Sequence, residues 1–375
     1  MEIMTETQEK IWYKVARTIV KAGQMPMPIS DALIELIQNI ITLEQAQFIA
    51  SVFKKPSLNV DQIKSNTTLD SNQLNQMLNV LMDNGVIVGL PSRRTGIMVY
   101  RLLGPFPGMF EYTNLKGETD EKHKKLARLF EKIFVEMRKG TQNNYDNFIK
   151  QFEKFPPVVR IVPVEEEIED VPVDKVMPHE EVSKIVDKYD DIALAHCYCR
   201  HSRDLLNEPC KVTDERENCF LLGKSAQFAI EHKFANPVSK EKAKDIIKKA
   251  SDEGLVHKAF HVHLNIDLDE EAICNCCSCC CGIFQLYSRG VMPYHCYTNY
   301  LAEVNEENCK GCGTCVEICP MHTINLVDAI AKVNESKCIG CGLCAHHCPE
   351  EAIELKRIEN REVFVPPPKI KVEYS

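Results

Sequence analysis

The sequence predicts an α+β chain divided into several domains, and three observations lead there. Segments with helical periodicity, closed by two short strands, fill about the first hundred residues. All nineteen cysteines fall between Cys197 and Cys348, which separates a cysteine-free half from a cysteine-rich one. Near the end, NEENCKGCGTCVEICP and NESKCIGCGLCAHHCP align without a gap at a step of 29 residues. The expected divisions are 1–118, helical with two strands; 119–191, a helical segment and acidic connector; 192–300, a cysteine-rich α/β domain; and 301–375, the repeat and a tail.

In the first division, Thr5 to Val20 sets Ile11, Trp12, Val15 and Ile19 at helical spacing behind a Thr5 cap, with Gln8 three positions on. Gly23 and Pro26 end it. Further helices are expected over Ser30–Ile41, Leu43–Phe53, Val60–Lys64 and Asp70–Asn84. The last has Asp70 as its cap, Leu74, Met77, Leu78 and Leu81 as its buried stripe, and Gly85 as its stop. VIVGL and IMVYRLL then read as strands around the turn Pro91 to Gly96. The succession from Thr42 to Leu103 resembles a winged helix-turn-helix domain. A helix that reads DNA presents basic residues for phosphates, whereas this one offers Asn72, Gln73, Asn75, Gln76 and Asn79 without Lys or Arg. Arg93 and Arg94 supply two charges in the wing. A protein-docking or packing role is expected here, and DNA binding is not.

Asp120 to Phe155 reads as helical until Pro156-Pro157 breaks it before VVRIVPV, expected to be extended. Glu165 to Asp191 is an acidic connector interrupted by Pro172 and Pro178. Lys240 to Glu253 forms another helix closed by Gly254.

A chain of 375 residues buries adequate cores without disulfide staples, so the cysteines have another purpose. The start, MEIMTETQEKIWYK, has no apolar stretch of the secretory kind, and a reducing cytoplasm is expected. Even the most apolar window, Val86–Leu103, holds Ser92, Arg93, Arg94 and Arg101, so no membrane span is expected. The net charge of -9 argues against a large nucleic-acid surface and suits docking on basic patches. No Walker A loop, GxGxxG turn or nucleophile elbow occurs, which leaves nucleotide binding without support.

Each repeat has the form C-x2-C-x2-C-x3-C-P. The glycines between the first three cysteines, Gly311, Gly313, Gly340 and Gly342, let the backbone turn tightly and aim amides at sulfur. The fourth cysteine of each run serves the other cluster in this motif. Cys309, Cys312, Cys315 and Cys348 are therefore assigned to one [4Fe-4S] cluster, and Cys338, Cys341, Cys344 and Cys319 to a second. Paired zinc sites are the plain alternative, but zinc draws separated C-x2-4-C hooks, not three cysteines in a row followed by Cys-Pro. His346 and His347 read as surface positions. The segment from about Glu303 to Lys356 resembles the bacterial-type two-cluster ferredoxins, with every ligand and both prolines present. The resemblance implies a βαββαβ module relaying single electrons.

Eleven cysteines lie upstream of it: Cys197, Cys199, Cys210, Cys219, Cys274, Cys276, Cys277, Cys279, Cys280, Cys281 and Cys296. CNCCSCCC has too few apolar neighbours to be ordinary core. Adjacent residues on an extended segment face opposite ways, so Cys276-Cys277 or Cys279-Cys280 can serve two centres on either flank. Arg200, His201, Arg203 and Arg289 stand near in sequence to favour thiolates. At least one further iron-sulfur centre is expected, with Cys197, Cys199, Cys210 and Cys219 grouped in one and the later cysteines completing it or forming another. Zinc is the alternative cofactor. His257, His261 and His263 are candidate ligands or pocket lining. Cys280-Cys281-Gly282 resembles the CCG sites of heterodisulfide-reductase-like subunits, at different spacings. The segment Ala195 to Tyr297 resembles the ferredoxin-fused iron-sulfur proteins of strict anaerobes.

The expected function is single-electron transfer between redox partner proteins through two [4Fe-4S] clusters and the upstream centre. An oxidoreductase with a catalytic upstream cluster and a redox-sensing winged-helix regulator are the alternatives. No catalytic residue stands out.

Overall fold

The computed structural model describes residues 6–23, 25, 27–168, 180–262 and 265–371, apart from the side chains of 359 and 360. Thr5, Pro26, Pro172, Pro178 and His263, which figured in the expectations, lie outside the described residues.

The chain opens with helices α1 (Glu6–Ala22), α2 (Asp31–Ile40) and α3 (Leu43–Val52). Trp12, Val15 and Ile19 form the buried side of α1. Strand β1 (Ser57–Asn59) precedes α4 (Val60–Lys64), α5 (Ser71–Asp83), β2 (Ile87–Pro91) and β3 (Met98–Leu102). Local chemistry sets these starts. Thr42 and Gln45, Asn59 and Gln62, and Asp70 and Gln73 form reciprocal capping boxes that satisfy the first free amides of α3, α4 and α5. The three strands make a small antiparallel sheet in the order β1-β3-β2. The three-residue β1 lay below what periodicity reveals.

After α6 (Met109–Asn114), the helix expected over Asp120–Phe155 is two helices, α7 (Glu121–Asn143) and α8 (Tyr145–Phe152). Asn144, at φ -133 and ψ 38, leaves helical geometry and separates them. Phe110 meets Phe130 edge to face at 5.0 Å and Tyr198 at 5.9 Å, joining this region to the cysteine-rich half.

The remaining strands make one eight-stranded sheet. They are β4 (Val159–Val162), β5 (Ile192–His196), β6 (Glu217–Leu222), β7 (Asn236–Pro237), β8 (Val256–His261), β9 (Glu270–Cys276), β10 (Tyr294–Val304) and, after the two-stranded β11 (Ile324–Val327) and β12 (Ile330–Val333), β13 (Ile353–Val365). The order is β13-β10-β4-β8-β9-β6-β5-β7, with β4 and β10 parallel and the other pairs antiparallel. Helices α9 (Val182–Asp187) and α12 (Lys240–Asp252), one on each side of α10 (Tyr198–Leu205) and α11 (Lys224–Glu231) in sequence, cover one face. Val182, Ile185 and Ile247 there pack with Phe220 and Ile273. Strand alternation turns Cys219, Cys274 and Cys276 to the opposite side.

Beyond α13 (Gly282–Ser288), the last segment runs β10, α14 (Thr314–Ile318), β11, β12, α15 (Leu343–His346), β13. This is the order strand, helix, strand, strand, helix, strand. Position 300/301, taken as a domain boundary, falls inside β10, whose partner β13 follows it from Tyr294↔Val365 to Val304↔Ile353. The only irregularity is a bulge between Thr298 and Tyr300. Buried Glu180 reaches this strand pair: it accepts from Tyr300 Oη at 3.0 Å, from the Arg357 guanidinium at 3.0 Å and from the Asn299 amide. Removing one partner of a buried, hydrogen-bonded ion pair leaves the other charge uncompensated. Glu180→Ala is therefore expected to lower stability by about 3–5 kcal/mol, read from denaturant unfolding followed by circular dichroism. A change under about 0.5 kcal/mol, the size of an ordinary surface substitution, would show that Glu180 does not hold the strands.

Candidate metal centres

In the C-terminal segment, each loop between the first three cysteines is shaped by glycines with positive φ. A Cβ on Gly311 would stand 2.2 Å from Ala329 O, and one on Gly340 would stand 2.1 Å from Tyr300 O, so no side chain fits at either place. Cys309, Cys312, Cys315 and Cys348 line one cavity. Amides point at these sulfurs: Ala331 N donates to Cys309 Sγ at 3.5 Å and Ala352 N to Cys348 Sγ at 3.3 Å. Thr323 N donates to Cys319 Sγ at 3.4 Å and Gly340 N to Cys338 Sγ at 3.4 Å. Burial pushes the thiols of Cys338, Cys341 and Cys344 above their usual range, and each of them feels the charge of Cys319. The structure thus brings Cys319 toward the second run and Cys348 toward the first.

Residues 302–355 match the family model of the 4Fe-4S dicluster domain. No curated protein and no solved structure matches the chain. The segment is an iron-sulfur module of ferredoxin type with two [4Fe-4S] clusters, and the donors present fit them: eight thiols, glycine loops and amides directed at sulfur. The two positions differ in exposure. Cys312 is exposed while Cys309 and Cys348 are half-buried; Cys319, Cys338, Cys341 and Cys344 are all buried. His346 and His347 are half-buried rather than at the surface. His346 lies 3.0 Å from Asp252 and 3.3 Å from Glu167, and His347 lies 3.2 Å from Ser251 O, so both fasten the module to α12 and its neighbour loop.

Upstream, the cysteines form two groups, and the expected grouping is corrected at one position. Cys210 does not join Cys197, Cys199 and Cys219; it stands with Cys277, Cys279 and Cys280, their sulfurs all within 4.8 Å of one another. The reason is the loop after α10, which carries Cys210 away from β6 and over the turn that follows β9. The second group, Cys197, Cys199, Cys219, Cys274, Cys276 and Cys281, lines a cavity with Tyr198 and Asn218, and Cys277 reaches its edge. Cys219 and Cys274 are cross-strand partners with sulfurs 3.7 Å apart. Gly282 N donates to Cys199 Sγ at 3.1 Å. Asn218 Nδ2, buried on the wall of this cavity, has no partner among the described residues. Cys296 belongs to neither group. It is buried on β10, where burial raises its thiol to about 12, and its charged neighbours are Lys258, Arg361 and Cys338.

Two buried cations serve these thiols. Arg200, fully buried, donates to Asn218 Oδ1 at 2.6 Å and Asn275 O at 2.8 Å; burial opposes its charge, while Cys197, Cys277 and Cys210 favour it. Lys258 places Nζ 3.6 Å from Cys281 Sγ and 3.5 Å from the Phe284 ring centre. Cys281 is held well below the usual thiol range by donation from Cys199 and Cys276, and then by the Lys258 charge. Arg203 and Arg289 both pair with Glu131 instead, and His201 bonds Glu118 O at 2.8 Å. His257 bonds Ser251 at 2.7 Å and Asn275 at 2.6 Å, so both its nitrogens are engaged away from the thiols; His261 bonds Leu268 O at 2.8 Å through Nδ1, and its buried Nε2 has no hydrogen-bond partner among the described residues. Sequence reasoning missed Lys258. Its one signal was a lysine inside the strand VHKAF, between His257 and Ala259.

The pairing of the two tail runs has a direct check. Cys319→Ala is expected to alter the paramagnetic signal of the enclosed cluster beside Cys338, Cys341 and Cys344, and to leave the cluster at Cys309, Cys312 and Cys315 intact. Electron paramagnetic resonance of partly reduced protein reads this, and damage confined to the exposed cluster would reverse the assignment.

Proposed function

We propose that this protein is an electron-transfer protein or redox subunit that passes single electrons between its C-terminal [4Fe-4S] pair and an upstream iron-sulfur centre held by the six-cysteine group. Cys309, Cys312, Cys315 and Cys348 hold the outer cluster, and Cys338, Cys341, Cys344 and Cys319 the inner one. The observation that carries the reading is the continuity of β10. Its far end lies in the dicluster module, and its near end carries Tyr294 and Cys296 beside Lys258, which touches Cys281 of the upstream group. Cys296 also neighbours Cys338 of the inner site. The shared strand thus runs from the dicluster module to Tyr294, over whose ring Lys258 stands at 5.0 Å, and Lys258 reaches Cys281 of the upstream group at 3.6 Å. The outer cluster, next to exposed Cys312, is the place for a partner to exchange electrons, and the upstream centre is the opposite terminus.

The clusters supply one-electron chemistry, and the protein's own residues set its energetics. Gly282 N and Lys258 Nζ are directed at Cys199 and Cys281, where they stabilise added negative charge. Tyr198 Oη stands 3.9 Å from Cys274 Sγ on the same wall. The chain acts in the cytoplasm, with redox proteins as partners.

The N-terminal division is read as a winged helix that packs against the redox half and does not bind DNA. Arg93 of its wing is paired with Asp269 at 2.6 Å, Lys224 donates to Pro91 O at 3.0 Å, and Asp83 at the end of α5 bonds His232 at 2.6 Å. The outer face of α5, with Asn72, Gln73, Asn75, Gln76 and Asn79 exposed, carries no cation.

Reductive titration with electron paramagnetic resonance and iron and sulfide analysis of anaerobic protein tests the central claim. More than two interacting centres are expected; two alone would sink it. Lys258→Met is expected to make the upstream midpoint potential more negative, because a nearby cation favours the reduced state. For one charge about 5–6 Å from the centre at an effective dielectric of about 20, the change is on the order of 100 mV. The potentials of the C-terminal pair serve as the internal control.

A further inference from the structure

We propose that Cys210, Cys277, Cys279 and Cys280 hold a single zinc ion in a closed tetrahedral site, separate from every iron-sulfur centre of the chain.

The spacing of the sulfurs carries this. Cys210 Sγ lies 3.6 Å from Cys277 Sγ and 3.7 Å from Cys279 Sγ, and Cys279 Sγ lies 3.6 Å from Cys280 Sγ. A tetrahedron of zinc-thiolate bonds of about 2.3 Å has edges of about 3.8 Å. A four-iron cube keeps its cysteine sulfurs roughly 6 Å apart, because each stands one metal-sulfur bond outside its own corner. The molecule contains its own comparison. Among the described residues, this is the one set of three or more metal-ligating side chains drawn together within 4.8 Å of one another; the dicluster module holds no such set, and in the six-cysteine group Cys219 and Cys274 come as close, at 3.7 Å, but no three of its sulfurs do so together.

The surroundings suit a charged, closed site. Lys211 N donates to Cys279 Sγ at 3.5 Å, the Val212 amide is directed at Cys210, and Arg200 lies against Cys277 and Cys210. Four thiolates around one divalent ion carry two negative charges, which these donors and the guanidinium offset. Four protein ligands leave no open position, the mark of a structural zinc site, and zinc precedes iron(II) in affinity for such a site. The site joins two irregular stretches, the loop between α10 and β6 and the turn between β9 and α13. That turn also carries Cys276 and Cys281 of the six-cysteine group at its two ends. The ion would thus fix the backbone from which the neighbouring cavity is built, without taking part in redox chemistry.

The test uses the full-length protein purified without oxygen. Metal analysis is expected to give one zinc per chain beside the iron, and zinc-edge X-ray absorption to show four sulfurs at about 2.3 Å and no nitrogen or oxygen ligand. Cys210→Ser and Cys279→Ser are each expected to lower zinc content at least tenfold while the paramagnetic signals of the C-terminal clusters persist. Zinc absent from the wild type, zinc with nitrogen or oxygen ligands, zinc retained in both variants, or loss of iron in place of zinc would each overturn the assignment. The absorption measurement needs no variant, so misfolding of a serine mutant does not blunt it. The count of iron centres is read independently of zinc, so failure here is distinguishable from failure of the electron-transfer reading.

Discussion

The antiparallel pairing of β10 with β13 is the constraint on which the arrangement of centres depends. In its far half, Tyr300 to Val304 against Ile353 to Arg357, it closes the dicluster module; in its near half, Tyr294 to Thr298 against Arg361 to Val365, it joins the other six strands of the sheet through β4. A module joined by a flexible linker moves relative to its neighbour as a matter of course. Here the backbone hydrogen bonds of one ladder belong to both parts, and breaking them leaves buried amides unsatisfied. Glu180, His346 and His347 add side-chain contacts across the same join. Electron transfer falls off steeply with distance, so a separation fixed by a shared sheet gives the inner cluster a constant relation to the cysteines beyond Lys258.

The second requirement is electrostatic. Burial alone raises thiols, as it does at Cys296, Cys338, Cys341 and Cys344, so most of these side chains without metal would remain neutral and bind no partner charge. Metal binding displaces those protons and leaves buried negative charge that needs fixed compensation. Arg200 and Lys258 supply it, Arg200 toward Cys197 and Lys258 toward Cys281. Each is wholly buried, which is tolerable only because each has permanent partners: Asn218 and Asn275 O for Arg200, Cys281 and the Phe284 face for Lys258. The HCYCRH stretch is thereby explained as two thiols and their counter-ion on a single helical turn, with His201 tied to Glu118 O and outside the chemistry.

Much of the helical structure was legible in the chain because its signals are local. Ser30 and Asp70 stand at the starts expected of them, and Asp70 Oδ1 accepts from Asn72 N at 2.8 Å and Gln73 N at 2.9 Å. The tandem repeat was legible for the same reason, and the family match covers it. The sheet was not. Strands such as β6 and β9 mix cysteine with a few apolar residues, and their pairing, Cys219 with Cys274, joins positions 55 residues apart that no window of sequence connects. The break at Asn144 depends on one residue's backbone, which periodicity overlooks. The expectation that Cys279 and Cys280 face opposite ways is overturned, since both stand in one group with Cys210 and Cys277, and Cys277 departs from Cys276 because β9 ends there and not by strand alternation. The placement of Cys210 was not legible either, because it depends on the path of an irregular loop.

That loop explains how eight residues, Cys274 to Cys281, can serve two centres without confusion. On β9, period-two alternation sends Cys274 and Cys276 to one face, and the chain then turns, so Cys277, Cys279 and Cys280 gather on the side of α12 with Ala250 and Leu255. Cys281, at the start of α13, comes back to the cavity beside Lys258. Six thiols so close in sequence would otherwise compete for the same iron. Closing three of them around one ion with Cys210, as proposed above, would take them out of that competition. Segregation here is geometric: the change from strand to turn to helix separates the two sets of sulfurs, and the buried Arg200 charge is favoured by thiols of both, Cys197 of one and Cys277 and Cys210 of the other.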